Sequence, residues 1–368
     1  MELIFDSYVL NLPVWLVLTL VVLTAFLITY ISIPTIITVS HKLNLYETVN
    51  GRESHKGEIP TLGGVAIFAS LVITGAVFSN HDENHELQYI LGSLVILFFI
   101  GVKDDLLIMD PKKKLIGQVL AAGIIIVLGD VRITTFHGFA NINEVSYLVS
   151  VVFSLLVFLV IINGFNLIDG IDGLSSGIGI ITSLTFASWF ISIRQYEFAL
   201  VPIGLAASLV AFFRFNVFSK KNKIFLGDTG SLCIGLIMAV IAIKFLEFQD
   251  PVSGEHTMLA APAVAFGVLI VPIFDTLRVF ILRVFEGDSP FKGDKKHIHH
   301  RLLDLGCTHL GATSRIILVN IIIIGVVFLL RNIGNFKLLM IVFFLAALFS
   351  YIPVYLIMKR RAKEKEDI

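Results

Sequence analysis

The sequence predicts an all-α polytopic membrane protein with about eleven transmembrane helices, the N-terminus outside and the C-terminus in the cytoplasm. Hydrophobic residues make up 56% of the 368 residues and charged residues only 15%, whereas a soluble domain carries about 25% charged residues. The apolar residues also form long runs separated by short polar stretches, which is the pattern of membrane-spanning helices. The placement of Lys and Arg predicts the orientation.

The number of spans follows from the roughly 17–25 apolar residues that a helix needs to cross a bilayer. The first run follows a segment without a basic region or a cleavage site, so we expect it to be retained as a span. No internal repeat divides the chain, so residues 1–368 are expected to form one integral-membrane domain. The predicted spans are 13–36, 61–79, 87–102, 115–129, 146–163, 174–193, 197–215, 230–248, 258–283, 314–331 and 336–358.

Lys and Arg are concentrated in alternate loops. They crowd the loops at 37–60, 103–114, 214–229 and 284–313 and the tail after the last span. The interiors of the opposite loops contain only two such residues, Arg132 and Arg194. Because cytoplasmic loops are enriched in Lys and Arg, the first set is predicted to lie in the cytoplasm.

Polar residues suited to metal or phosphate chemistry fall on the same predicted side. Carboxylates gathered at helix ends repel one another unless a cation or basic side chains lie among them. Carboxylate and phosphate oxygens are the usual setting for Mg²⁺, so a metal-bridged diphosphate would suit this group. Its members are the pair Asp104 and Asp105, the Asn/Asp ladder (Asn163, Asn166, Asp169 and Asp172), Asp228, and the histidines His297, His299 and His300.

Most of these motifs also have a structural interpretation. The Asp pair could be a solvated helix end, and Asp228 or Thr229 could simply cap the eighth span. The histidines could bind zinc, but no further zinc ligand has the required spacing nearby. The ladder favours function, because its period of three places four polar groups on one stripe of a helix or turn. Asp275 and Arg278, three residues apart inside a span, are expected to pair with each other.

Taken in order, the motifs resemble those of the polyprenyl-phosphate N-acetylhexosamine-1-phosphate transferases. They are Pro-Thr-Leu-Gly-Gly (60–64), the Asp pair, the ladder, Phe-Leu-Gly-Asp-Thr-Gly-Ser and His-Ile-His-His, and they cover about residues 50–310. The resemblance implies an enzyme of the bacterial inner membrane with a cytoplasmic active site, which uses Mg²⁺ or, in its place, Mn²⁺. It implies a UDP-sugar and a polyprenyl phosphate, such as undecaprenyl phosphate, as partners and UMP as a product. A homodimer is compatible with it, and no nucleic acid is expected.

The resemblance also implies a role for each matched residue. Asp104, Asp105 and Asp228 are the implied catalytic residues, with Asp228 binding the metal and the Asp pair acting at the lipid phosphate. Since the second pKa of a phosphate monoester is about 6, we expect Asp104 to position that phosphate rather than to act as a base. The implied substrate-binding residues are Lys56, Thr61, Asn163, Asn166, Asp169, Asp172, Asn216, Phe225 (stacked on uracil), His297, His299, His300 and Arg301.

The sequence His-Ile-His-His-Arg (297–301) indicates which nucleotide sugar the protein uses. Family members that use UDP-MurNAc-pentapeptide carry three consecutive histidines followed by an acidic residue, so the resemblance favours the UDP-GlcNAc-using branch. That branch starts O-antigen, common-antigen or teichoic-acid units. The alternatives are the phospho-MurNAc-pentapeptide transferase of peptidoglycan synthesis and a membrane transporter. A transporter is disfavoured because its polar groups would lie near the bilayer midplane, within internal repeats.

Overall fold

The computed structural model describes residues 12–45, 47–48, 58–78, 85–107, 109–137, 145–249, 258–287 and 296–366. These residues form thirteen α-helices and one hairpin, in which β1 (Glu47–Thr48) pairs antiparallel with β2 (Glu58–Ile59). The helices are α1 (Val14–Leu43), α2 (Gly63–Phe78), α3 (His85–Leu107), α4 (Pro111–Val127), α5 (Tyr147–Ile168), α6 (Leu174–Ser192), α7 (Tyr196–Val217), α8 (Gly227–Glu247), α9 (Ala261–Val268), α10 (Ile270–Phe285), α11 (Ile298–Asp304), α12 (His309–Leu329) and α13 (Asn335–Glu366).

The predicted class, an all-helical polytopic membrane protein, is confirmed. Within the described ranges, seven helices are long and apolar enough to cross a membrane, namely α1, α5, α6, α7, α8, α12 and α13. The predicted span at 258–283 is bent by 83° between α9 and α10, which together could form one more crossing. The total of eleven stays a prediction, because α2 and α4 are short and α3 contains three consecutive charged residues near its C-terminal end.

Helix α8 lies at the centre of the bundle. It is buried from Thr229 to Phe245 and packs against α2, α3, α5, α6 and α7. A helix that is apolar on all sides is expected in such an interior position. The outer helices instead expose large apolar side chains, such as Phe99, Leu148 and Phe344. A continuous apolar exterior of this kind is suited to lipid tails rather than to water.

One end of the bundle brings the polar motifs together. The C-terminal ends of α3 and α5 meet the N-terminal ends of α4 and α8 there. Helix α4 begins after Asp110, whose carboxylate accepts a hydrogen bond from the Lys112 N–H at 2.8 Å, with Pro111 in the first turn. The turn at 169–173 joins α5 to α6 at this end. Three motifs that are far apart in sequence, namely the Asp pair, the ladder and the segment of Asp228, therefore lie together.

Candidate active site

The N-terminus of α8 forms the centre of the candidate site. The helix begins at Gly227, whose φ of +72° lies in the left-handed region that favours glycine. A side chain at this position would also collide with the Thr61 carbonyl and the Asp105 carboxylate. The Gly-Asp sequence thus places Asp228 in the first turn of α8 through a backbone conformation that requires glycine.

Asp105 caps α8 from the neighbouring helix α3. Its carboxylate accepts hydrogen bonds from the backbone N–H of Asp228 at 2.6 Å and of Thr229 at 3.0 Å. It also accepts one from the Thr229 hydroxyl at 2.6 Å. The cap therefore does not come from Asp228 or Thr229, the alternative suggested by the sequence. It comes from Asp105, which holds the turn that carries Asp228.

The Pro-Thr-Leu-Gly-Gly segment is hydrogen-bonded to the loop before α8. The Phe225 N–H donates to the Pro60 carbonyl at 2.8 Å, and the Gly63 N–H donates to the Phe225 carbonyl at 3.0 Å. These bonds fix the backbone of Phe225 three residues before Asp228. Thr61 lies in the same segment with a partly buried side chain. The predicted ligand Lys56 lies outside the described residues.

Lys114 of α4 lies between two of the predicted catalytic carboxylates. Its ammonium group is 2.9 Å from Asp104 Oδ2 and 2.7 Å from Asp228 Oδ2, and it donates to Asn166 Oδ1 at 3.3 Å. The Asn166 amide N–H donates to the Asp228 carboxylate. We call these four residues the central cluster. Because they are largely shielded from water, the lysine offsets a repulsion between carboxylates that would otherwise be strong.

Lys114 is absent from the residues predicted for the site. In the sequence it is one of three consecutive lysines, 112–114, that served only to indicate orientation. The signal that could have identified it is its place in the first turn of α4, just after the helix that carries Asp104.

The first half of the Asn/Asp ladder lies on α5. Asn163 and Gln118 of α4 exchange amide hydrogen bonds at 3.2 Å and 2.8 Å. Asn166 lies one turn later, in the central cluster. Because α5 ends at Ile168, the single stripe expected from the period of three is interrupted there. The second half of the ladder follows in the turn at 169–173.

Asp172 lies in a second cluster, formed with residues from two distant segments. Its carboxylate is 2.6 Å from Lys223 Nζ and 3.5 Å from His309 Nδ1, and its backbone carbonyl accepts a hydrogen bond from the Thr313 hydroxyl. Lys223 Nζ also lies 5.5 Å from the centroid of the Phe225 ring. Burial raises the pKa of Asp172, but the hydrogen bonds from His309 and Lys223 outweigh burial and lower the pKa below its usual value.

Asp169 has a different electrostatic environment. Among the residues that the structure describes, no basic side chain contributes to its electrostatic surroundings. Burial raises the pKa of Asp169 well above the usual value, and the carboxylates of Asp228, Asp105 and Asp172 raise it further. A carboxyl group so placed favours its neutral form unless a cation is bound nearby.

Asn216 connects the turn at 169–173 with the loop before α8. Its side-chain oxygen accepts a hydrogen bond from the Gly173 N–H at 2.7 Å, and its amide N–H donates to the Ile224 carbonyl at 2.9 Å. The residue is 4% exposed. Both polar atoms are thus bonded to backbone, and these contacts join the two segments that carry Asp172 and Lys223. Its predicted contact with substrate stays a prediction.

The histidine segment lies against α10. His297 Nδ1 is 2.9 Å from Asp275 Oδ2. Asp275 also pairs with Arg278 at 2.9 Å, which confirms the pairing predicted from their spacing. The pair is not isolated, however, because the same carboxylate holds the histidine segment.

The other predicted residues of this segment occupy α11. His299 is 1% exposed, and burial together with the nearby His300 lowers its pKa to about 3. Of the three predicted histidines, only His300 is partly exposed. Arg301 is partly exposed and lies 3.6 Å from Asp304. His300 and Arg301 are therefore better placed than His299 to meet a ligand from solution.

The donor chemistry of the central cluster fits Mg²⁺. Asp104 and Asp228 present carboxylate oxygens, and Asp169 adds a carboxyl group whose ionisation a cation would favour. In the described part of the chain, no three His, Cys, Asp or Glu side chains form a complete metal-binding group. Mg²⁺ needs few protein ligands and takes further oxygens from phosphates and water.

Comparison with known proteins shows a similarity to one family. Residues 87–246 match the model of glycosyl transferase family 4. The matched residues include most of α3 and α8 and all of the helices between them, and thus the central cluster, the ladder and Phe225. The chain is accordingly a multi-pass membrane protein and a transferase.

The relatives that the chain matches are similar to it over most of their length. The decaprenyl-phosphate N-acetylglucosaminephosphotransferase of Mycobacterium tuberculosis (strain ATCC 25618 / H37Rv) is 27% identical over 336 residues, which cover 84% of this chain and 80% of the relative. The protein of the same name from Mycolicibacterium smegmatis is 28% identical, with 84% and 81% covered. The undecaprenyl-phosphate alpha-N-acetylglucosaminyl 1-phosphate transferase of Escherichia coli (strain K12) is 27% identical, with 85% and 84% covered.

Proposed function

We propose that this protein transfers N-acetylglucosamine-1-phosphate from UDP-N-acetylglucosamine to a polyprenyl phosphate and releases UMP. The observation that carries the proposal is the central cluster, in which Lys114 and two carboxylates meet at the start of α8. The names of the relatives supply the transferred N-acetylglucosamine phosphate and the lipid acceptor, which is decaprenyl phosphate in one name and undecaprenyl phosphate in another. The UDP-sugar as donor is what the resemblance of the motifs implies.

The reaction is a displacement at phosphorus. An oxygen of the lipid phosphate attacks the β-phosphorus of the UDP-sugar, the bond from that phosphorus to the bridging oxygen breaks, and UMP leaves with the oxygen. Because both reactants are anions, the protein must mainly align them and neutralise their charge. In the central cluster Lys114 supplies the positive charge, and Asn166 orients the Asp228 carboxylate beside it.

No strong base is required in this mechanism. The lipid phosphate has a second pKa of about 6 and is mostly a dianion at neutral pH. We infer that Asp104, through its 2.9 Å ion pair, directs Lys114 toward that phosphate. Asp228 is the residue that would hold Mg²⁺, which when bound supplies additional positive charge to the diphosphate.

The second cluster suits the nucleotide. The partly exposed ring of Phe225 lies beside Lys223, which is itself held by Asp172. An aromatic face can stack on a base, and the lysine can meet a phosphate or ribose oxygen. Since Phe225 and Asp228 are three residues apart, a nucleotide stacked on Phe225 would extend its diphosphate toward the central cluster.

The placement of the site in the membrane is also part of the proposal. We infer that the motif-bearing end faces the cytoplasm of a bacterial inner membrane, with the N-terminus outside and about eleven spans. The Lys and Arg distribution supports this, because the basic loops flank the helix ends that carry both clusters. A C-terminal reporter active only in the cytoplasm would test the orientation. An inactive cytoplasmic reporter beside an active periplasmic one would reverse it.

The substrate assignment is tested with purified enzyme in detergent. With undecaprenyl phosphate and Mg²⁺, UDP-N-acetylglucosamine should release UMP, whereas UDP-N-acetylgalactosamine and UDP-MurNAc-pentapeptide should not. Chelation of Mg²⁺ should stop the reaction. Efficient turnover of the pentapeptide substrate would replace the proposed function with the peptidoglycan alternative.

A further inference from the structure

Helix α10 carries a buried carboxylate whose contacts go beyond the pair expected from the sequence. The Asp275 side chain is 3% exposed, and it lies in the second half of the bent α9–α10 pair. A charge buried at this depth is costly unless several groups surround it. The identity of those groups therefore indicates what the charge does.

The partners of Asp275 come mainly from the histidine segment. Its Oδ1 accepts hydrogen bonds from Arg278 Nη2 at 2.9 Å and from the Ile298 N–H at 3.2 Å, while Oδ2 meets His297 Nδ1 at 2.9 Å. Arg278 in turn donates to the Lys296 carbonyl at 2.7 Å. Three consecutive residues, 296–298, are thus held on α10 by one carboxylate and its arginine.

These contacts determine how the imidazole of His297 is presented. A carboxylate facing Nδ1 makes that nitrogen the donor and leaves Nε2 as the ring position that can meet a ligand. The ring of His297 is stacked on that of His299, with centroids 5.7 Å apart and planes 10° apart, and His300 lies 4.3 Å beyond. His299 is also packed against Gly170, inside the turn between Asp169 and Asp172. A continuous row of contacts therefore runs from Asp275 to the ladder.

We propose that Asp275 is a positioning residue for the transferase site: it holds His297, and through it the stacked His299 and the adjacent His300, against the turn that carries Asp169 and Asp172. The proposal rests on the proposed function for its kinetic consequence. Its structural consequence, an ordered histidine row, is independent of which substrate is used.

The first experiment measures that order directly. Diethylpyrocarbonate modifies accessible imidazoles, and mass spectrometry gives the labelling rate of His297 and His299 separately. Asp275→Asn should raise both rates several-fold, because the amide places an N–H where His297 Nδ1 needs an acceptor. Glu86→Gln is the matched control: it removes a partly buried carboxylate bonded to Lys244 at 2.6 Å, on a helix start remote from the motifs. Unchanged labelling in Asp275→Asn would overturn the proposal.

A second pair of variants leaves Asp275 in place and so does not depend on the folding of Asp275→Asn. In His297→Asn the amide N–H can still donate to Asp275, so the labelling of His299 should stay at the wild-type rate. In His297→Ala the donor is lost, and the labelling of His299 should rise. Equal labelling of His299 in the two variants would show that the Asp275–His297 contact does not order the row.

The kinetic experiment separates a positioning role from general stabilisation. Asp275→Asn should lower kcat/KM for UDP-N-acetylglucosamine by on the order of 10–100-fold, the usual loss when a carboxylate that orients a histidine is removed. His297→Ala, which removes the donor to Asp275, should lower it at least as much. The double variant should lose no more than the worse single variant, because both act through one group. If the loss of kcat/KM in the double variant equalled the product of the two single losses, the proposal would be overturned. A wild-type enzyme without turnover would refute the proposed function alone, and the labelling results would still decide the role of Asp275.

Discussion

Replacing Asp105 with Asn should weaken the start of α8 and, through it, the placement of Asp228. The carboxylate of Asp105 accepts three hydrogen bonds, from the N–H groups of Asp228 and Thr229 and from the Thr229 hydroxyl. An amide keeps one oxygen and presents an N–H to the other donors, so at least one bond to the charged group is lost. Each such bond contributes about 1.5–3 kcal/mol. Because burial raises the pKa of Asp105 to about 6, the amide also removes part of the cost of burying a charge, and the free energy of unfolding should fall by less than that amount.

The effect on catalysis should exceed the effect on stability. A shift of about 1 Å in a group that aligns substrate can cost on the order of 10²-fold in rate, so Asp105→Asn should lose turnover on that scale while remaining folded. Hydrogen exchange of the 226–232 backbone should accelerate. In Asp104→Asn, which does not touch this cap, turnover should fall without that acceleration.

The matched pair for this prediction is at Thr229. Thr229→Ser keeps the hydroxyl that bonds to Asp105 and should retain most of the stability, whereas Thr229→Val removes the hydroxyl and should show a smaller version of the Asp105→Asn defect. The assays are thermal unfolding in detergent, hydrogen exchange and UMP release. An Asp105→Asn protein that is inactive, yet unfolds and exchanges like the wild type, would show that Asp105 acts on the substrate directly and that the capping argument is wrong.

Three further predictions concern the charges of the site. Lys114→Met should lower kcat by roughly 10²-fold or more, because Asp104 and Asp228 lose their common cation where charge must be neutralised; near-native UMP release would contradict this. Asp169→Asn should abolish turnover yet raise the thermal stability at pH 8. The pKa of Asp169 is raised in the folded protein, so at any pH above the unfolded pKa of about 3.9 the ionised carboxylate of the wild type opposes folding, and the amide does not. The gain should shrink as the pH is lowered toward 4, and a gain independent of pH would refute the electrostatic cause. Asp228→Asn should be inactive from pH 6 to 9, with at most a trace recovered at high Mg²⁺; a metal-independent enzyme with a near-native rate would remove Asp228 as the metal ligand.

The sequence located the helices of the interior well because their boundaries depend on local composition. The predicted spans at 174–193 and 197–215 correspond to α6 (Leu174–Ser192) and α7 (Tyr196–Val217). The prediction of a single span at 258–283 did not include the 83° bend, since the apolar residues continue through the junction of α9 and α10. Hydropathy measures how apolar a segment is, and it carries no information on the direction of the helix axis.

The candidate site was predicted as a set of acids and amides without its cations. The acids were recognisable because polar residues are rare at the ends of apolar runs. Lys114 and Lys223 were not, because lysines are common in a cytoplasmic loop and only tertiary packing brings these two to within 2.9 Å of a carboxylate. The same reason explains why the capping role of Asp105 was not predicted, since its contacts join residues that are 123 and 124 positions apart in the chain.

The backbone hydrogen bonds between residues 60–64 and 225–226 indicate which positions beside the site tolerate substitution. Each bond joins an N–H to a carbonyl, and at Gly63 and Gly64 a side chain would collide with the neighbouring backbone. Thr61, Leu62 and Phe225 supply no side-chain atom to these bonds, so they can vary during evolution without displacing the start of α8, unless proline replaces the donor Phe225. A surface that can change its chemistry while Asp228 stays in place is well suited to acquiring new nucleotide-sugar preferences.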